Sequence, residues 1–113
     1  MLTVAALQEL GADTNQGLQR CMNNETFYLR MVEMGINDKG FGTLPEAIKK
    51  GDLHEAFEAA HSLKGVMGNL ALTPLYTPIA ELTEQLRAGT EMDYAPAVAS
   101  ILEKRDRFLA LIG

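Results

Sequence analysis

Four residues near the middle of the chain, His61, Lys64, Gly65 and Gly68, have types and a spacing that suit chemistry better than stability. They stand at i, i+3, i+4 and i+7, so they share one face if the segment is helical. Each glycine inside a helix costs about 1 kcal/mol relative to alanine. Neutral imidazole is a good nucleophile, and a cation one turn away stabilises a group with negative charge. The pattern therefore predicts a partly exposed nucleophile beside a positive charge.

The chemistry that this face suits best is the transfer of a phosphoryl group. A bound phosphoryl group carries close to two negative charges, which Lys64 would neutralise, and Gly65 and Gly68 would let a second macromolecule approach. In the alternative interpretation, His61 is an ordinary solvated histidine and the glycines allow close contact between helices. The glycines flank the histidine rather than the apolar stripe of the helix, which favours phosphohistidine chemistry.

Other chemistries fit the sequence poorly. Glu58 and His61 match the Glu-x-x-His pattern of di-iron bundles, but the pattern has no second copy, and these two residues with His54 are too few ligands for zinc. Ser62 and His61 are adjacent and point about 100° apart on a helix, so they form no catalytic dyad. A Gly-rich nucleotide loop is not found, so the chain is not expected to phosphorylate itself from ATP.

The elements that position these residues are predicted to be helices, because apolar residues recur at intervals of three and four without strand-like alternation. Caps and glycines predict short helices over 3–10 and 13–22, a segment over 24–50 with a break near 35–42, the histidine helix over about 52–72, and helices that begin at Thr73 and Asp93. The 24–50 segment is predicted to bury Phe27, Tyr28, Met31 and Met34, and the histidine helix Leu53, Ala56, Phe57, Ala60, Leu63, Met67 and Leu70.

The expected fold is all-α. Short connections between the three long C-terminal helices predict antiparallel neighbours, and the 24–50 segment would complete an antiparallel up-down four-helix bundle. The two short N-terminal helices would cover one end. A chain of 113 residues is expected to form a single domain, 1–113.

Composition limits the partners and the compartment. A net charge of −5 argues against nucleic acid, which requires a basic surface. No apolar run reaches the length of a membrane span, the N-terminal residues lack a basic leader, and the single cysteine, Cys21, is expected to be a small core residue. These features predict a cytoplasmic protein without membrane insertion.

The stretch from Ala60 to Leu70 reads AHSLKGVMGNL and resembles the signature of histidine-containing phosphotransfer (HPt) domains. The resemblance extends in outline over the chain through Arg20, Phe27-Tyr28-Leu29 and the run from Ala47 to Asp52. It implies that His61 accepts a phosphoryl group, in the family at Nε2, from a receiver aspartyl phosphate and passes it to the aspartate of another receiver. It also implies that Lys64 neutralises the phosphate and that Gly65 and Gly68 keep the docking surface clear.

The resemblance implies a carrier without autonomous kinase activity, and it implies its partners. These are response-regulator receiver domains and a hybrid sensor histidine kinase, met by a monomer. The Mg²⁺ that transfer needs would belong to the receiver, so no metal site and no cofactor are expected in this chain. The alternative is a non-catalytic helical adaptor that binds receivers or other signalling proteins without phosphotransfer.

The sequence departs from the family pattern at two places. Ala71 stands where glycine is frequent, which is expected to be a small change. Thr83, with Glu84 beside it, stands where the next helix often carries a glutamate or glutamine that holds the imidazole. Arg87, one turn beyond Thr83, is either a second cation near the phosphate or a solvated arginine. Thr83 and Arg87 are predicted to join Gly65 and Gly68 at the docking surface.

Overall fold

The structure is a computed structural model that describes residues 1–112. Short turns connect its helices, which are α1 (Val4–Glu9), α2 (Thr14–Arg20), α3 (Glu25–Ile36), α4 (Gly40–Lys50), α5 (Leu53–Asn69), α6 (Thr73–Ala88) and α7 (Ala95–Ile112). Because residues 1–112 contain no strand, the predicted all-α class is confirmed. Over this part of the chain, no helix has both the length and the hydropathy that a membrane span requires.

The histidine helix, α5, begins at the predicted cap and ends earlier than predicted. The Asp52 carboxylate accepts a hydrogen bond from the Glu55 N–H at 3.0 Å, as an N-cap does. The helix ends at Asn69 because Ala71 has a left-handed φ of 57°. The Ala71 N–H donates to the Gly68 carbonyl, and the next N–H along the chain, that of Leu72, donates to the Met67 carbonyl. These two bonds form a Schellman motif.

Ala71 is a larger departure from the family pattern than the sequence suggests. A left-handed conformation costs a residue with a Cβ roughly 1–2 kcal/mol, a cost that glycine avoids. The expectation of a small change is therefore wrong, since the position that follows Leu70 requires the conformation that glycine adopts most easily.

The long helices form a cyclic set of neighbours. Helix α5 packs against α4 and α6, and α7 packs against the same two helices. Leu63 and Met67 of α5 are fully buried in the core. This pairing is compatible with a four-helix bundle, although the predicted antiparallel up-down arrangement stays a prediction.

The predicted 24–50 segment is two helices, α3 and α4, with the break inside the glycine-rich stretch. Gly35 of α3 approaches Leu70, and Gly40 of α4 approaches Leu63, so the two helices pack along successive parts of α5. The buried face of α3 differs from the predicted stripe, because Phe27 is 46% and Met34 62% exposed. The residues of α3 that are buried are Tyr28, Val32, Gly35 and Ile36. Leu53, predicted to lie in the core, is 41% exposed at the first turn of α5.

Helix α2 covers the end of the structure where α5 joins α6. The Asp13 N–H donates to the Ala71 carbonyl at 2.9 Å, and the Tyr28 hydroxyl donates to the Leu70 carbonyl at 2.9 Å. A Cβ at Gly17 would lie 2.5 Å from the Tyr28 ring, so α2 and α3 approach each other only because this residue has no side chain. The C-terminal end of the histidine helix is thus held by residues of the N-terminal segment.

Tyr28→Phe is expected to lower the free energy of unfolding at pH 7 by about 1 kcal/mol, because the Leu70 carbonyl loses its donor. Burial, with smaller contributions from Cys21 and Asp13, raises the pKa of Tyr28 to about 12. An unfolded tyrosine ionises near pH 10. The folded state therefore retains its proton longer, and this contribution to stability is complete below pH 10 and is lost as the pH rises from about 10 to 12.

Urea denaturation at pH 7, 10 and 11.5 would measure both effects. The Tyr28→Phe variant is expected to lose less stability than the wild type above pH 10, and Tyr76→Phe, at an exposed ring, serves as the control. Equal losses of stability for Tyr28→Phe and the wild type over this range would contradict the prediction.

Candidate functional site

The His61 side chain lies on the exposed face of α5, between the buried positions Ala60 and Leu63. Within residues 1–112, no group donates a hydrogen bond to the imidazole or accepts one from it, and no carboxylate forms an ion pair with it. A second protein can therefore reach both ring nitrogens without displacing an existing partner.

Phe57 is the residue that contacts the imidazole. The two rings stack with centroids 5.6 Å apart and planes inclined by 15°. The Arg87 Cζ lies 5.1 Å from the centroid of the same phenyl ring, and the Arg87 guanidinium also donates to the Glu84 carboxylate at 3.3 Å. The sequence interpretation placed Phe57 only in the core, whereas the side chain is half-buried. Its i, i+4 spacing from His61 is the signal that could have indicated this contact.

Thr83 does not lie on the docking surface. Its side chain is 0% exposed, and its hydroxyl donates to the Ile79 carbonyl of the preceding turn at 2.7 Å. A short hydroxyl side chain often satisfies itself in this way inside a helix. Thr83 therefore neither reaches the imidazole nor contacts a partner, and its predicted place at the docking surface is wrong.

Lys64 and Gly65 lie one turn along α5 from His61. The Lys64 side chain is half-buried, and its ammonium forms no ion pair with any carboxylate of residues 1–112. Gly65 is exposed, and a Cβ built there would meet no atom within 4 Å. The surface beside the histidine is therefore open at Gly65 and carries an uncompensated cation at Lys64.

Gly68 has different surroundings from Gly65, although both were predicted to lie bare toward solvent. A Cβ at Gly68 would lie 3.1 Å from Cε1 of Tyr76, and the Gly68 carbonyl accepts a hydrogen bond from the Arg20 guanidinium. Gly68 is half-buried between these two side chains. Its lack of a side chain accommodates Tyr76, whereas that of Gly65 accommodates no atom of this chain.

A groove begins beside these residues and runs between α2, α5 and α6. Its volume is about 390 Å³. We call it the α2–α5–α6 groove, and it is lined by Gln16, Arg20, Lys64, Gly65, Met67, Gly68, Asn69, Ala71, Thr73 and Tyr76. Two of these side chains are cationic, and none is a carboxylate.

A family model described as the Hpt domain matches residues 38–111, which is more than half of the chain and includes all of α4, α5 and α6. The chain belongs to the Hpt family. Hpt domains carry phosphoryl groups on histidine in two-component phosphorelays, interact with receiver domains and are not kinases. No curated protein and no solved structure matches the chain.

The match fixes which parts of this Hpt domain the family shares. Helix α5, with His61 and Lys64, lies inside residues 38–111, whereas α1, α2 and α3 lie before them. Residues 1–112 of the Hpt domain contain no group of three or more histidine, cysteine, aspartate or glutamate side chains placed to hold a metal ion. His54 and Glu58 form an exposed pair at 2.6 Å and do not include His61.

Phe57→Leu is expected to slow phosphotransfer of this Hpt domain roughly threefold, because an aromatic stack that restricts the imidazole is worth about 0.5–1.5 kcal/mol. The NMR resonances of the His61 ring protons should shift downfield when the phenyl ring current is removed. Phe57→Tyr, which keeps the ring, should restore the rate. Phe27→Leu, at an exposed ring of α3, is the control. An unchanged His61 spectrum in Phe57→Leu would contradict a positioning role for Phe57.

Proposed function

We propose that this Hpt domain accepts a phosphoryl group on His61 from a receiver aspartyl phosphate and transfers it to the aspartate of a second receiver. The observation that carries the proposal is an exposed imidazole with a free cation and an open glycine one turn away. This arrangement lets the phosphorus of a bound partner approach a ring nitrogen in line, which is the main requirement of phosphoryl transfer.

The reaction balances without any other reactant. The lone pair of Nε2 attacks phosphorus, the N–P bond forms, and the P–O bond to the donor aspartate breaks. The carboxylate of the donor leaves with the bonding electron pair, while Nδ1 keeps its proton. In the second transfer, the carboxylate of the acceptor attacks phosphorus and the N–P electron pair returns to Nε2. The chain is thus a carrier that returns to its starting state.

Two cations support the phosphorylated state in this proposal. Lys64 has a half-buried stem, so its ammonium is held at the surface near the phosphoryl oxygens. The guanidinium of Arg87 rests on the ring that also stacks on His61, and its exposed ion pair with Glu84 is weak enough to exchange for a phosphate. We therefore propose Arg87 as a second cation at the docking surface.

The partners proposed are the receiver of a hybrid sensor histidine kinase as donor and the receiver of a response regulator as acceptor. The Mg²⁺ that neutralises the transferred group would be bound by receiver carboxylates, since carboxylates and phosphate oxygens are its usual ligands. This chain would act as a monomer and contribute the nucleophile, positive charge and an open surface.

The function is tested by incubation with a phosphorylated receiver, followed by mass spectrometry of the intact protein. The expected result is a mass gain of about 80 Da, one phosphoryl group, that is lost in acid. Incubation with ATP alone is expected to give no gain. A receiver that binds without producing the gain would instead establish the alternative, a non-catalytic adaptor.

Lys64→Ala is expected to slow transfer about tenfold, equivalent to about 1.4 kcal/mol, because a charge-assisted contact to the phosphate is lost. The free energy of unfolding should change little, since the ammonium has no partner in the fold. Lys104→Ala is the matched control, because this lysine is also half-buried but lies on α7. Equal transfer rates for the two variants would remove Lys64 from the site.

A further inference from the structure

The α2–α5–α6 groove contains a contribution from outside the part of the chain that the family shares. Arg20 and Gln16 belong to α2, which precedes the matched residues 38–111. The Arg20 guanidinium donates to the Gly68 carbonyl and so is held against the exposed face of α5. The N-terminal segment therefore does more than cover the end of the helices, because it places a second cation beside the histidine face.

The charge of the groove is opposite to that of the whole chain. The protein has a net charge of −5, yet Arg20 and Lys64 line the groove and no carboxylate does. The other polar side chains that line it are neutral, namely Gln16, Asn69, Thr73 and Tyr76. A local positive groove on an acidic protein favours a partner with an acidic side chain at the matching place.

The groove lies within the area that a receiver bound at His61 would cover. Gly68 is seven residues from His61 along α5, which corresponds to about 10 Å. A protein interface of standard size buries about 800 Å² on each partner, which corresponds to a radius of about 16 Å. A partner centred on His61 therefore reaches Arg20, and its acidic groups cannot avoid the field of this arginine.

We propose that Arg20 is a partner-recognition residue, and that an acidic side chain of the receiver enters the α2–α5–α6 groove and pairs with Arg20 and Lys64. The inference rests on the proposed function for the identity of the partner. It assigns to α2 a role in selecting receivers by their charge next to the phosphorylated aspartate. Because the pair is at the rim of the interface, its main effects are on the association rate and on the salt dependence.

Gln16 offers a test that leaves the Arg20 hydrogen bond intact. Gln16→Glu adds a negative charge to the groove, and Gln16→Lys adds a positive one, without removing any contact that the side chain makes in the fold. Gln19→Glu and Gln19→Lys are matched controls, since Gln19 is exposed on the same helix and does not line the groove. The probe is the receiver domain of the host that binds the wild-type protein most tightly.

The dissociation constant, measured by titration at about 20 mM salt, is expected to rise two- to fivefold for Gln16→Glu and to fall by a similar factor for Gln16→Lys. Both shifts should disappear near 1 M salt, where the Debye length is about 3 Å. The Gln19 variants should bind like the wild type. Arg20→Gln should weaken binding, whereas Arg20→Lys should weaken it less, and thermal melts would identify any loss of fold.

Two different results separate this inference from the proposed function. If the Gln16 variants bind like their Gln19 counterparts, or if both charges shift binding in the same direction, the recognition role of the groove is overturned even though His61 is phosphorylated. If the wild-type protein gains no phosphoryl group but the Gln16 shifts have opposite signs, the proposed function fails and the recognition groove stands.

Discussion

His61→Gln is expected to abolish the acid-labile mass gain produced by a phosphorylated receiver, while the helical circular dichroism stays unchanged. Glutamine has a similar reach but no nucleophilic ring nitrogen. The imidazole is exposed and has no hydrogen-bond partner within residues 1–112, so the change should alter the free energy of unfolding by less than about 0.5 kcal/mol. Loss of labelling would then report on the nucleophile and not on the fold.

His54→Gln is the matched control for this experiment. His54 lies on the same helix, is also exposed and is the other histidine of the chain. Its contact is an exposed pair with Glu58, which contributes little to stability. The His54 variant should be labelled like the wild type. Acid-labile labelling of His61→Gln, or loss of labelling in His54→Gln, would show that the phosphoryl group is carried elsewhere.

Local signals in the sequence were sufficient for the start of the histidine helix, and long-range packing decided its end. The Asp52 cap acts within one turn and is visible as a pattern. The end at Asn69 depends on the left-handed Ala71, whose carbonyl accepts a bond from Asp13 of the N-terminal segment. A residue with a Cβ gives no signal for that conformation, so the prediction extended the helix to Leu72.

The rotation of α3 and α6 was the other property that the sequence left open. Phe27 and Tyr28 are aromatic neighbours, and only the bond from Tyr28 to the Leu70 carbonyl decides which one is buried. On α6, Thr83 lies between the buried Leu82 and Leu86, so it belongs to the apolar stripe of that helix. The family correspondence suggested a site residue there, but the packing of the stripe turns the hydroxyl into the core.

The contacts that complete the site come from distant parts of the sequence. The hydrogen bond from Arg20 to Gly68 spans 48 residues, and Arg87 reaches Phe57 from the next helix. Such contacts follow from how helices assemble, which periodicity does not specify. The histidine, the lysine and the glycines could be found from spacing alone, because they share a single helix.

The glycines of the helices now divide into two kinds. Gly17, Gly35 and Gly40 pack so closely against other side chains that a Cβ would lie within 3 Å of an atom, so their absence of bulk serves the fold. Gly65 meets nothing, and it still carries the helix cost of about 1 kcal/mol. A cost without a structural return beside a nucleophile is what a docking surface would explain.

Gly65→Leu is therefore expected to raise the stability of the protein and to weaken receiver binding. Leucine is a far better helix former than glycine, so the free energy of unfolding should rise by up to about 1 kcal/mol. The same side chain would project from the surface one turn from His61 and hold a partner away from the imidazole. We expect the dissociation constant for a receiver to rise at least tenfold, equivalent to about 1.4 kcal/mol, and the transfer rate to fall with it.

Gly42→Leu separates the two effects. Gly42 is exposed in α4, and a Cβ there also meets no atom within 4 Å. It lies two residues from Gly40, which faces Leu63 of α5, so it points about 200° away from the histidine helix. This control should gain stability and keep normal transfer. If Gly65→Leu transfers as well as Gly42→Leu, the open surface at Gly65 is not where a receiver docks, because no partner could reach the imidazole past an added isobutyl group without losing contact there.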